Sequence, residues 1–115
     1  MKNIITSFLI TFFLLPSVYA VEFDEAFDRL QKIGGIQQQY EAAAGHEDVE
    51  ARTVFLEAFT KLNAPIDGTG YGDAVHARYY RYAMFDLVAC YHELDQSKKM
   101  LKALNWLQST DAVIQ

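Results

Sequence analysis

The chain has 115 residues, of which 51% are hydrophobic and 22% charged, and its formal net charge is −5. This length suits one domain, and this balance is typical of a globular protein rather than a disordered one. The single cysteine excludes an intramolecular disulfide framework. The acidic balance argues against nucleic acid or an anionic membrane as a partner, because both require a basic surface.

The first twenty residues predict a cleavable secretion signal. A single basic residue precedes the apolar run 4–15, Pro16 ends it, and Val18 and Ala20 supply the small or aliphatic residues of a cleavage site. The run is shorter than the about 18 residues of a membrane-spanning helix. We therefore expect a periplasmic or secreted protein whose residues 21–115 form a single helical domain. An uncleaved anchor and a short buried helix in a cytosolic protein are the alternatives.

Apolar residues after the signal recur at helical spacing, and no alternating strand pattern occurs, so we expect an all-α fold of four helices. The first helical segment, Phe23–Ala44, is interrupted by Gly34 and Gly35. Two adjacent glycines cost about 2 kcal/mol relative to alanine inside a helix, which predicts a kink or break. A second helix is expected over Glu47–Leu62, and a loop of glycines and aspartates follows it.

The third predicted helix, Ala74–Leu94, carries two apolar stripes. The main stripe consists of Ala77, Tyr80, Met84, Leu87, Tyr91 and Leu94. The second consists of Tyr82, Phe85 and Ala89. A helix that is apolar on most of its circumference is expected at the centre of the fold. After a short link, a fourth helix is predicted over Ser97–Gln108 as its antiparallel neighbour, with a frayed tail.

The last two predicted helices resemble one tetratricopeptide-type unit over residues 84–107. The first-helix positions of that family are taken by Met84, Leu87, Val88 and Tyr91. Its second-helix positions are taken by Met100, Leu104 and Leu107, and Asp95 stands at the turn where the family commonly has glycine. Val88 and Met100 are larger than the usual residues there. The resemblance implies a helical hairpin over this part of the chain.

Catalytic and metal-binding patterns are weak in this sequence. We expect Cys90 to be a buried, inert thiol because it lies in an apolar stretch. Catalysis by Cys90 with His76 or His92 is the alternative, although a central helix is a poor place to lower a thiol pKa. No two histidines have the i, i+4 spacing of a zinc site, so no metal and no cofactor is predicted. Asp86 is expected to accept a hydrogen bond from an arginine or a tyrosine hydroxyl, or else to anchor a groove.

A cluster of tyrosines and arginines is the best functional indicator. Tyrosine and arginine are enriched at the energetic centres of protein interfaces. Within the cluster, Tyr80 belongs to the main core stripe, whereas its neighbours point elsewhere; packing in the core with exposed hydroxyls is the alternative for them. The predicted protein-binding residues are Tyr71, Arg78, Tyr79, Arg81 and Tyr82.

Together these features predict an exported small helical module that binds a protein or peptide and does no catalysis. Its size, export and acidity suit a periplasmic inhibitor, an immunity-type protein or an adaptor, by analogy of class. The alternative is a small periplasmic enzyme or metal-binding module. The sequence leaves the oligomeric state open.

Overall fold

The computed structural model describes residues 21–64 and 74–114 of the chain. These residues form helices and no strand, which confirms the predicted all-α class. The helices are α1 (Phe23–Gln31), α2 (Ile36–Ala44), α3 (Val49–Leu62), α4 (Ala74–Glu93) and α5 (Ser97–Ile114). The predicted signal and most of the predicted loop, including Tyr71, lie outside the described residues.

The two adjacent glycines separate α1 from α2, so five helices are described rather than the four predicted. Gly35 has a φ of 88°, a backbone conformation that residues with a Cβ rarely adopt. A Cβ at this position would clash with Oε1 of Gln38. Gly35 therefore makes the turn that the sequence predicted, and α2 becomes a helix of its own.

Two aspartates define helix ends. Asp48 precedes α3, and its Oδ2 accepts a hydrogen bond of 2.9 Å from the backbone N–H of Ala51. Asp95 follows α4 with a φ of 59°, and the N–H of Gln96 donates to the carbonyl of Tyr91 at 2.8 Å. The N–H of Asp95 donates to the carbonyl of His92, which completes a Schellman motif. The link between α4 and α5 is thereby a fixed turn.

Helix α3 is the centre of the core. It packs against α1 and α2 and also against α4. The largest fully buried side chains are Leu30 on α1, Leu56 and Phe59 on α3, and Cys90 on α4. Burial of these apolar groups at the junction of the helices supplies most of the driving force for folding.

Helices α4 and α5 are antiparallel neighbours, as predicted. The rings of Tyr80, near the start of α4, and Trp106, far along α5, have centroids 5.0 Å apart. At the opposite end, the ammonium of Lys99 lies 5.8 Å from the ring centroid of Tyr91. The predicted end of the last helix at Gln108 is wrong: α5 continues to Ile114, through the segment expected to be frayed.

Candidate protein-binding surface

One face of α4 is exposed, although the apolar stripes predicted this helix at the centre of the fold. The helix packs against α2, α3 and α5, and these neighbours bury Tyr80, Leu87 and Tyr91 of the main apolar stripe. The second stripe is uncovered: Tyr82 is 45% and Phe85 51% exposed, and Ala89 is exposed as well. The expectation that α4 is buried around most of its circumference is therefore wrong, because no described helix covers this side.

The predicted binding residues fall on two sides of α4. Arg78 and Tyr82 are exposed, and Arg81 is half-buried, with its guanidinium 5.5 Å from the ring centroid of Phe85. Tyr79 is also half-buried and turns toward α2 instead. Tyr80 is buried, as its position on the core stripe predicted.

A shallow hollow of about 390 Å³ lies along this exposed face. Its lining residues, which we call the α4 patch, are Ala74, Ala77, Arg78, Arg81, Tyr82 and Phe85. The two arginines are the only charged residues that line the hollow within the described part of the chain, and exposed Arg78 places a cation at its rim on a protein that is acidic overall. Apolar rings beside guanidinium groups can hold both an apolar side chain and a carboxylate of a partner.

Tyr82 of the patch contacts two other tyrosine rings, Tyr40 on α2 and Tyr79 on α4. The ring centroids of Tyr40 and Tyr79 lie 5.7 Å apart, those of Tyr40 and Tyr82 5.9 Å, and those of Tyr79 and Tyr82 5.7 Å. Tyr40 also packs edge-on against the buried Phe59. Exposed Tyr82 is thus joined to the core through aromatic contacts, which restricts its rotamers before any partner arrives.

Asp86 accepts a hydrogen bond of 2.5 Å from the hydroxyl of Tyr40. The sequence predicted an arginine or a tyrosine hydroxyl as the donor to Asp86, and the donor is a tyrosine hydroxyl on a different helix. Burial, and next the carboxylate of Asp86, raise the pKa of Tyr40, so its phenol remains protonated and continues to donate. This bond ties the middle of α4 to α2.

Sequence reasoning missed Phe85 and Tyr40 as parts of the site. Phe85 lies on the second apolar stripe, and its spacing of four from Arg81 indicates contact between the two side chains. No sequence pattern indicated that Tyr40 belongs to the site, because its partners on α4 lie about forty residues further along the chain.

The predicted burial of Cys90 is confirmed, since its side chain is 1% exposed. His92 is exposed, and two residues of helix place it about 200° around α4 from Cys90. The neighbour of the thiol is Arg52, whose pKa is raised first of all by a hydrogen bond to Cys90. The Nη1 atom of Arg52 also donates to the carbonyl of His46 at 2.9 Å. Arg52 on α3 thus lies beside Cys90 on α4.

Two of the three histidines, His46 and His76, have structural contacts. The ring of His46 stacks on Phe55 at 4.0 Å between centroids, and burial, with a contribution from Arg29, lowers its pKa. A ring nitrogen of His76 lies 2.6 Å from the carbonyl of Asn63. In residues 21–64 and 74–114, no group of three or more histidine, cysteine, aspartate or glutamate side chains is arranged to hold a metal ion.

Comparison with known proteins gives no match: no family model, no curated protein and no solved structure aligns significantly with this chain. Among the described helices, none combines the length and apolar character required to cross a membrane.

Proposed function

We propose that this protein is an exported helical module that binds another protein or a peptide through the α4 patch. The observation that carries the proposal is the pair of exposed aromatic rings, Tyr82 and Phe85, placed beside the guanidinium groups of Arg78 and Arg81. Contiguous apolar surface of this kind is typical of interaction sites, and tyrosine and arginine dominate their energetic centres.

The charges of the patch select the kind of partner. Because only arginines supply charge to its described lining, we infer a partner segment that presents carboxylates next to apolar side chains. The contacts of Tyr82 with Tyr40 and Tyr79 favour binding further, because a ring that is already ordered loses little rotamer entropy on association.

The rest of the proposal follows from the sequence. The signal in residues 1–20 places the mature protein in the periplasm or outside the cell, where an inhibitor, an immunity-type protein or an adaptor of this size acts. The antiparallel packing of α4 against α5 supports the likeness of residues 84–107 to a tetratricopeptide-type hairpin. Mass spectrometry of the protein from the exported fraction tests this part: we expect an N-terminus at Val21, and an intact Met1 in the cytosol contradicts export.

The binding experiment compares two exposed apolar sites on different helices. Phe85→Ser removes an aromatic ring from the α4 patch, and Leu101→Ser removes a side chain that is 55% exposed on α5 and lies outside the patch. Partners are captured from the exported fraction with the mature protein as bait, and the dissociation constant is then measured with the purified partner. We expect Phe85→Ser to weaken binding about tenfold or more and Leu101→Ser to change it less than about twofold.

Charge reversal tests the acidic partner. Arg78→Glu places a carboxylate on the exposed rim of the patch, and we expect it to weaken binding and to remove much of the salt dependence of association. Binding that survives both Phe85→Ser and Arg78→Glu, in variants whose circular dichroism shows a native helix content, contradicts the α4 patch as the binding surface.

A further inference from the structure

A second concavity lies on a different side of α4, between α3, α4 and α5. Its volume is about 420 Å³, within the range of about 300–1,000 Å³ found for small-molecule sites. Apolar and aromatic side chains form most of its wall: Tyr80, Met84, Leu87, Tyr91, Ala103 and Trp106. Glu57, Thr60, Lys99 and Lys102 supply its polar groups. We call this concavity the α3–α5 cleft.

The carboxylate of Glu57 is already engaged by groups of the cleft itself. The hydroxyl of Tyr91 donates to its Oε2 at 2.7 Å, and the ammonium of Lys99 lies 3.5 Å from the same oxygen. Burial, and next the hydrogen bond to Glu57, raise the pKa of Tyr91, so the phenol remains a donor. The negative charge of Glu57 is therefore compensated before any ligand enters.

Lys102 is the second lysine that lines the cleft. Its side chain is exposed at the wall of the cleft, and no carboxylate lies within ion-pair distance of it in the described part of the chain. With Glu57 compensated by Lys99, the cleft has a surplus of one positive charge beside an apolar floor. A ligand that matches this arrangement carries one negative charge and an apolar body.

The order of residues along α5 sets the orientation of such a ligand. Lys99, Lys102 and Trp106 line the cleft in succession over about 10 Å of helix. Lys99 and Lys102 thus precede Trp106 along the helix, and the ring of Trp106 lies 5.0 Å from that of Tyr80 between centroids. We propose that the α3–α5 cleft binds a small amphipathic carboxylate, with its carboxylate at Lys102 and its apolar chain extending toward Trp106 and Tyr80. This inference is independent of the α4 patch.

Trp106 is the only tryptophan of the chain, so its fluorescence reports on the cleft without a label. The probe is decanoate, kept below its micelle concentration, and decanol is the uncharged comparison. We expect decanoate to shift the Trp106 emission saturably and to bind more tightly than decanol. Lys102→Gln should weaken decanoate binding about three- to fivefold, the effect of losing one exposed ion pair, and leave decanol binding unchanged.

Lys98→Gln is the matched control, because Lys98 is an exposed neighbour on α5 that does not line the cleft. It should change decanoate affinity less than about twofold at the same ionic strength. Three results would each overturn the proposal: no saturable change in Trp106 emission, equal affinity for decanoate and decanol, or equal effects of Lys98→Gln and Lys102→Gln. Phe85→Ser should leave decanoate binding unchanged, so failure of this site and failure of the α4 patch are distinguishable.

Discussion

Leu87 and Phe85 offer a sharp test of how α4 is oriented in the fold. They lie two residues apart, about 200° around the same helix, and their exposed fractions are 3% and 51%. Replacing each with alanine removes a large apolar side chain from the same stretch of helix. We expect Leu87→Ala to be strongly destabilising and Phe85→Ala to be nearly neutral.

The cost of Leu87→Ala combines lost burial with the cavity left behind. Substitutions of this type in protein cores lower the free energy of unfolding by about 2–5 kcal/mol. Leu87 also borders the α3–α5 cleft, so the space that it vacates opens toward solvent instead of forming a closed void. We therefore expect a cost in the lower half of that range, about 2–3 kcal/mol.

Two smaller effects oppose each other in Phe85→Ala. The change removes the contact with the guanidinium of Arg81, which at an exposed site contributes about 0.5–1 kcal/mol. Alanine has the better helix propensity, by about 0.5 kcal/mol. The free energy of unfolding should therefore fall by less than about 1 kcal/mol.

Urea unfolding followed by far-ultraviolet circular dichroism measures both free energies, and thermal unfolding gives an independent value. In a domain of this size, 1 kcal/mol corresponds to about 4–8 °C in Tm, so Leu87→Ala should lower Tm by about 10–20 °C and Phe85→Ala by no more than a few degrees. Equal destabilisation by the two changes would mean that both faces of α4 are buried. The α4 patch would then lose its structural basis.

Three further predictions concern backbone strain and pH. Gly35→Ala should destabilise by about 1–2 kcal/mol in urea unfolding because of the positive φ, whereas Gly34→Ala, which meets nothing within 4 Å, should not. Asp95→Gly should stabilise by about 0.5–1 kcal/mol in the same assay, since glycine fits the left-handed turn after α4 better. Folding raises the pKa of Tyr40 and of Tyr91, so the free energy of unfolding should be maintained below pH 10.0 and fall above it. Unfolding curves measured at increasing pH test this, and Tyr40→Phe or Tyr91→Phe should make the fall smaller.

Local rules predicted where the helices lie, although not every helix end. Apolar spacing predicted four of the helical segments, the glycine pair predicted the break between α1 and α2, and the acidic residues before α3 include its N-cap, Asp48. The burial of Tyr80 and Leu87 also follows from the main stripe of α4, and that of Cys90 follows from the apolar stretch around it. Each of these features depends on residues within a few turns of one another, which is the range over which periodicity carries information.

The exposed face of α4 required information that spacing does not contain. A stripe of apolar residues has the same periodicity whether a neighbouring helix covers it or not. Tyr82 and Phe85 are exposed because the described helices that neighbour α4 all pack against its other sides. The pairs that build the two surfaces, Tyr40 with Asp86 and Glu57 with Tyr91, are distant in sequence and meet only through tertiary packing.

These two hydrogen-bonded pairs explain how a helix with apolar residues on several sides adopts one orientation. Asp86 and Tyr91 lie about 140° apart around α4, and their partners stand on α2 and α3. Turning α4 to bury Phe85 would separate both pairs and leave partly buried polar groups without partners, at about 1–3 kcal/mol each. Apolar burial alone distinguishes the two orientations less clearly, since both would cover large side chains. The polar pairs therefore determine which aromatic residues remain outside, and with them the position of the α4 patch.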